Sequence, residues 1–332
     1  MKYYLLGGNR RFYKTNLHCH TNISDGKHSP KEIKESYKAL GYSAVCYTDH
    51  EVLIAHNDLC DSEFVALHGY EVAIKKELDS HTGYLMPVYH FNFIAEKQDN
   101  LLMPRYFANN PSMAGNSKYW LDKEGVFDPN DTIEATEYNI DWLNKYLCAV
   151  RDAGFLITYN HPEWSMQSSV DYLGLKGLHA IETMNTGCRN LGDCSSVHLH
   201  TMLLNGMTVI PVGGDDNHSE NEIGKSWTMI CASELNYDAL ISAYKDGACY
   251  ASTGPEIFEL YVEDGKLFIK TSPASIILLR GEGRYISKAY NCSEAVFEID
   301  PKRTGKHFRL EIRDKDGNLA LTRAYRFEEV GL

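Results

Sequence analysis

No apolar run in these 332 residues approaches the roughly 20 needed to cross a bilayer. The opening stretch "MKYYLLGGNRRFYKTN" also lacks the apolar core of about 7–15 residues and the small-residue cleavage site of a secretory signal. These two absences lead to the expectation of a cytoplasmic protein with no membrane partner. Positive charge is scarce: 33 Lys and Arg stand against 45 Asp and Glu, a formal net charge of -12. A nucleic-acid polymer, which is gripped by clustered cations, is therefore not the expected partner. The CxxC pair is missing as well, and the nine cysteines are an odd number, so neither a zinc finger nor a disulfide framework is expected. Reduced thiols fit better, with Cys188 and Cys194 as a pair that an oxidising setting could join.

What is present is a rhythm. The runs "TNLHCH", "SAVCYTDH", "FVALHGYEV", "VYHFNFIA", "GFLITYNHP", "LHAIETMN" and "TVIPVGGDDNH" read as strands and alternate with helical patterns, which predicts βα units around a parallel sheet. Residues 29–40 give the clearest helix. Ser29 and Glu32 form a capping box, Pro30 takes the first helical position, and Gly41 is the stop. Further helices are expected at about 139–153, 195–205 and 236–246, each followed by a glycine. Residues 96–135 break the rhythm and read as an insertion, either a lid or an excursion packed by Tyr106, Phe107, Tyr119 and Trp120. After "STGPEI" only short alternating strands remain. The expected division is therefore a domain over 1–254 and an all-β, sandwich-like domain over 255–332.

Chemistry gathers at the ends of the runs. Alternate side chains of a strand share a face, so His18 and His20 point together and Cys19 points away. His198 and His200 have the same spacing inside a helical pattern, where positions i and i+2 diverge, and they serve as an internal control. The other runs end in or carry Asp49-His50, Glu71, His90, His161, Glu182 and Asp216-x-His218. In barrels of parallel strands, functional groups collect at the C-terminal strand ends. Four strand ends bearing histidine with carboxylates beside them are therefore read as one metal site.

The ordered set "HCHTNISDG", "YTDHE", "GYEV", "HFNFIA", "NHP" and "GGDDNH", spanning residues 16 to 218, resembles the PHP (polymerase and histidinol phosphatase) metallohydrolases. "HFNFIA" and "GACYASTGPEI" are most similar to a branch that includes carbamate hydrolases and members with a β-rich tail. The resemblance implies a distorted seven-stranded (β/α) barrel and two or three divalent transition-metal ions. It implies that His18, His20, Glu71 and Asp216 hold one ion. Glu71 would bridge to a second, held by His90 and His161, and Asp25, His50 and His218 would hold the third. Asp215 departs from the pattern by adjoining Asp216, although the D-x-H spacing selects Asp216. His90 departs by beginning its run, which leaves His81 as a rival.

A shell of imidazoles and carboxylates suits Zn, Mn or Fe, because Ca and Mg favour all-oxygen shells. Three such ions against three carboxylates would leave about +3 at the floor of the pocket, which favours an anionic small-molecule substrate. The expected activity is a phosphoesterase acting on a small phosphate ester or nucleotide through a metal-bridging hydroxide. The alternatives are a hydrolase of carbamate, amide or carboxyl ester bonds, and a degenerate regulatory or scaffold barrel. Asp49 is read as an orienting or proton-shuttling group, and Glu182, Asn185, Arg189, Arg105 and Lys225 as candidate substrate contacts. The oligomeric state is left open.

Overall fold

A computed structural model describes residues 2–76, 86–107, 110, 113–188 and 194–332. The expected runs all form strands. In chain order these are Arg11–Asn16, Ala44–Tyr47, Val65–Lys75, Val88–Ala95, Phe155–Tyr159, Ala180–Asn185 and Ile210–Gly214. Val65–Lys75 and Val88–Ala95 are buried on both faces, which explains their nearly unbroken apolar texture. The helices fall near their expected bounds: Pro30–Ala39 with the Ser29–Glu32 box, Ile140–Asp152 capped by Asn139, Val197–Leu204, and Tyr237–Lys245 capped by Asn236.

The pairing departs from an all-parallel barrel. Val88–Ala95 runs antiparallel to both of its neighbours, Val65–Lys75 and Phe155–Tyr159. Parallel pairs join Arg11–Asn16, Ala44–Tyr47 and Val65–Lys75 on one side, and Phe155–Tyr159, Ala180–Asn185 and Ile210–Gly214 on the other. These seven strands belong to one open, mixed 16-stranded sheet. The first and last of the seven are joined by an isolated bridge, Cys19 with Asn217, and by the Asp216 N–H donating to the His18 carbonyl at 2.9 Å.

The strands beyond the expected division at 254/255 are antiparallel. Pairing crosses that division, because Cys249–Ser252 is hydrogen-bonded to Leu319–Thr322. The strand Lys2–Leu6, which no sequence feature had assigned to this region, pairs with Ile257–Glu263. One hydrophobic core follows the same path, from Tyr37, Phe64 and Tyr244 to Leu260, Ile277 and Leu310.

The described residues of the 96–135 insertion pack against the body of the protein. They include the helix Ser117–Glu124 and a two-stranded pair of Leu102–Met103 with Val126–Phe127. Met103, Tyr106 and Leu121 enter a second core with Phe91, Phe93 and Tyr159. Tyr119, expected to help pack it, is 61% exposed.

Candidate metal centre

His18 and His20 lie just past the end of Arg11–Asn16, and Cys19 between them makes the bridge to Asn217. Extended alternation therefore continues beyond the strand, and the two imidazoles share a side. Their Nε2 atoms stand 3.1 Å apart. The backbone passes close here: a Cβ on Gly214 would lie 2.7 Å from the His18 Cβ and 2.9 Å from Glu182 Oε1, so only glycine fits.

Carboxylates surround this pair. His18 Nε2 is 3.3 Å from Glu71 Oε1 and from Asp216 Oδ1, while His20 Nε2 is 3.0 Å from Asp216 Oδ1 and 3.3 Å from Glu71 Oε2. Glu71 also lies 3.0 Å from His90 Nδ1 and 3.5 Å from His161 Nε2. On its other side, Asp25 lies 3.5 Å from His218, 3.8 Å from His50 and 3.9 Å from His20. Donor atoms thus gather in overlapping groups: His18, His20, Glu71 and Asp216; His18, His161 and Glu182; Glu71, His90 and His161, all buried; and His20, Asp25, His50 and His218, in which Asp25 is exposed. Among the described residues every such group lies between His18 and His218.

These groups fit divalent ions. Bond lengths of about 2.1 Å from ion to donor place tetrahedral or octahedral donors about 3.0–3.4 Å apart, the spacing seen around Glu71 and Asp216. Hydrogen bonding does not account for the convergence. Two Nε2 atoms face each other, and His20 Nδ1, His50 Nδ1 and Glu71 Oε2 are buried without a hydrogen-bond partner. His50 Nδ1 and Glu71 Oε2 are 3.2 Å apart, but they are not aligned as donor and acceptor, so proximity here is not a bond.

The electrostatics agree. Burial opposes charge on His20, yet the Asp216 and Glu71 carboxylates beside it outweigh burial and lift its pKa to about 10. Burial likewise opposes charge on His161, and Glu71 and Asp216 raise it to about 9. His18 is raised well above its ordinary value by Asp216, Glu71 and Glu182 against burial. Burial would push Glu71 and Asp216 up, but the surrounding imidazoles hold both well below the usual carboxylate range. The carboxylates demand positive charge, and without ions only protons on imidazoles supply it.

The backbone is set unusually at this place, with positive φ at Glu51 (58°), His161 (23°) and Asp216 (49°). Asp215 is not a donor to the cluster. Its carboxylate accepts from the hydroxyls of Tyr37 at 2.9 Å and Thr186 at 2.6 Å, and from three backbone N–H groups at Gly224, Lys225 and Ser226.

Several expected contacts take other roles. Asp49 is buried and does not reach the pocket; its oxygens accept from the N–H and hydroxyl groups of Thr21 and Ser24 at 2.7–3.1 Å. It clamps the loop that carries Asp25. Glu182 is also buried: it lies 3.1 Å from His18 Nδ1 and accepts from the His161 N–H and the Asn185 amide. Asn185 donates to Asp216 as well, at 3.1 Å. Both therefore brace the cluster instead of facing a substrate, and Glu182 fixes the His18 tautomer that leaves Nε2 free. The Lys225 ammonium bonds the Asn221 carbonyl, and Arg105 pairs with Asp131 at 3.5 Å, both outside the pocket lining. Arg189 and the rival His81 lie outside the described residues.

The cluster forms the floor of a cavity of about 730 Å³. Sequence reasoning missed much of its wall: Lys75, Met86, Trp164 and Met166. Lys75 was discoverable, since Glu71, Ala73 and Lys75 alternate onto one strand face. Trp164 and Met166 sit on the turn after Pro162, where no periodicity reports direction. The control pair lies in the helix Val197–Leu204 and in none of the donor groups; His198 is 2.8 Å from Glu163, a residue of the cavity lining, and 3.0 Å from the Tyr172 hydroxyl.

Residues 16–103 match the family model described as PHP domain, so the resemblance carried by the sequence motifs is borne out over that segment. No curated protein matches the chain. Among solved structures it is similar to a two-domain protein from Bacteroides vulgatus containing a predicted PHP-like metal-dependent phosphoesterase, at 16% identity and a TM-score of 0.45, covering 96% of this chain and 97% of that one. It is also similar to an amidohydrolase from Chromobacterium violaceum with bound sulfate and no metal, at 15% identity and a TM-score of 0.35, covering 71% and 96%. A lesion-specific endonuclease from Pyrococcus furiosus shares 12% identity at a TM-score of 0.38, covering 71% and 56%. None of these matches singles out the branch that includes carbamate hydrolases.

Proposed function

We propose, from the PHP-type segment at residues 16–103 and the donor groups around it, that this chain is a metal-dependent hydrolase of small phosphate monoesters. One observation carries the reading. Among the described residues, four carboxylates, Asp25, Glu71, Glu163 and Asp216, line the cavity against a single lysine, Lys75. Such a pocket repels an anion until cations enter it, and two or three divalent ions reverse its sign. The ions we assign are Zn, Mn or Fe, held by the nine residues His18, His20, Asp25, His50, Glu71, His90, His161, Asp216 and His218. When bound, such ions lower the pKa of a water and neutralise charge on attacking and leaving oxygens.

The protein's own part is positioning. Glu71 and Asp216 set the spacing of the sites, Glu182 orients His18, and Lys75 reaches toward an outer phosphate oxygen as a point charge. We read the seven βα strands as a distorted barrel drawn shut by the contact between His18 and Asp216. A scaffold without activity has no need of two buried carboxylates, Glu71 and Asp216, that attract cations.

The test is turnover of an aryl phosphate and an aryl carbamate by protein loaded with Mn, Zn or Fe. Hydrolysis of the phosphate, lost on chelation, is expected. Turnover of the carbamate alone would replace this reading with the carbamate hydrolase.

A further inference from the structure

The cavity is lined by apolar side chains as well as by the donor groups. Met86, Val88, Ala114, Trp164 and Met166 supply the apolar part of the lining. Trp164 and Met166 are 38% and 48% exposed, large apolar surfaces left open toward a space that already holds the charged groups. Exposed apolar area of this size inside a concave site marks a surface that a ligand covers. The indole is held in place, because its ring centroid lies 5.3 Å from that of His90 and 5.1 Å from that of His161. It stands directly beside two of the proposed ligands.

Charge narrows the occupant further. Lys75 is the only lysine or arginine lining the cavity among the described residues, and Glu163 at the wall is paired with His198 at 2.8 Å. The ions and Lys75 gather the positive charge at one place in the cavity, where one phosphate binds. A second anionic group would meet Glu163 and the apolar wall.

We propose that the substrate's alcohol portion is a flat, uncharged ring that packs on the indole of Trp164. This rests on the phosphomonoester reading above. Ring-on-ring contact and burial of a ring-sized apolar area correspond to a preference of about 10- to 100-fold over a substrate without the ring. Bisphosphates, polyphosphates and nucleic-acid ends are disfavoured by the same wall.

Benzyl phosphate and ethyl phosphate test the idea, since their leaving alcohols have similar acidity and differ in the ring. The metal-loaded protein is expected to favour benzyl phosphate at least tenfold in kcat/KM. Trp164→Ala should shrink that ratio toward one, and Trp164→Phe should keep most of it. In parallel, benzylphosphonate should quench tryptophan fluorescence more strongly than ethylphosphonate, and Trp164→Phe should remove the difference. Comparable turnover of the two esters, or a ring preference that survives Trp164→Ala, overturns the proposal while leaving the phosphoesterase reading intact. Turnover of neither ester while an aryl phosphate is hydrolysed also overturns the proposal alone; turnover of none of the three removes the phosphoesterase reading with it.

Discussion

Glu71 lies within 3.5 Å of four imidazoles, those of His18, His20, His90 and His161, and within 3.2 Å of a fifth, His50. No other side chain in the cluster touches so many. Glu71→Gln keeps the shape and removes the charge, so it should lower bound metal by at least one ion per chain and abolish turnover, as elemental analysis and assay would show. His198→Ala, by contrast, should leave metal content at the wild-type level. His68 gives a pH-dependent expectation away from the cluster. Buried beside Tyr237, it is pushed down to about 4, by burial first and by His56 next. Its folded pKa is depressed, so between about 6.5 and 4 the unfolded chain takes a proton that the folded chain refuses. Stability should therefore fall as pH drops through that window, by up to about 3 kcal/mol from this group. His68→Gln should flatten the slope of Tm against pH there. At this scale the histidines were legible because strand alternation fixes which side chains share a face. Asp49 was not, because a carboxylate beside a ligand at a strand end can turn into a pocket or back onto its own loop, and only the Thr21 and Ser24 donors decide which.

Strand direction explains the oddest feature of the sequence, a ligand histidine at the start of a run. Val88–Ala95 is antiparallel to its neighbours, so His90 near its beginning sits opposite Ala73, two residues past Glu71. Periodicity reports which residues line a face but carries no arrow, and the arrow had been borrowed from the parallel rule. The insertion shows a similar limit. Its aromatic content signalled packing, yet its contact with the site runs through backbone: Asn116 N–H donates to the Ser24 carbonyl at 2.8 Å, next to Asp25. Gly115 has φ +53°, and a Cβ there would lie 1.9 Å from the Ser24 oxygen. Gly115→Val should push the insertion off this loop and displace Asp25. Metal titration should then show the site built on Asp25, His50 and His218 weakened about tenfold or more, with the remaining sites less affected.

Across the whole molecule, the change from helical to strand texture near Pro255 was visible in sequence, but its independence was not. Which strands pair is settled by packing between distant segments, and neither Lys2–Leu6 nor Leu319–Thr322 carries a mark naming its partner. Because pairing and core both cross the 254/255 line, removal of residues 255–332 should expose Leu6, Tyr244 and Tyr250 and leave a chain that aggregates or melts at least about 10 °C lower in a thermal scan.

The pairing of Lys2–Leu6 with Ile257–Glu263 also orders events in time. A ribosome adding about 5–20 residues per second needs on the order of 10–50 s to travel from one strand to the other. Through that interval the early strand has no partner of its own, while the histidines and carboxylates of the cluster emerge one after another behind it. The sheet therefore closes late, with contacts of very long sequence separation, which is the slow and association-prone regime of folding. An early strand with Lys2 among its aromatics is suited to wait in water without pairing to a neighbouring chain.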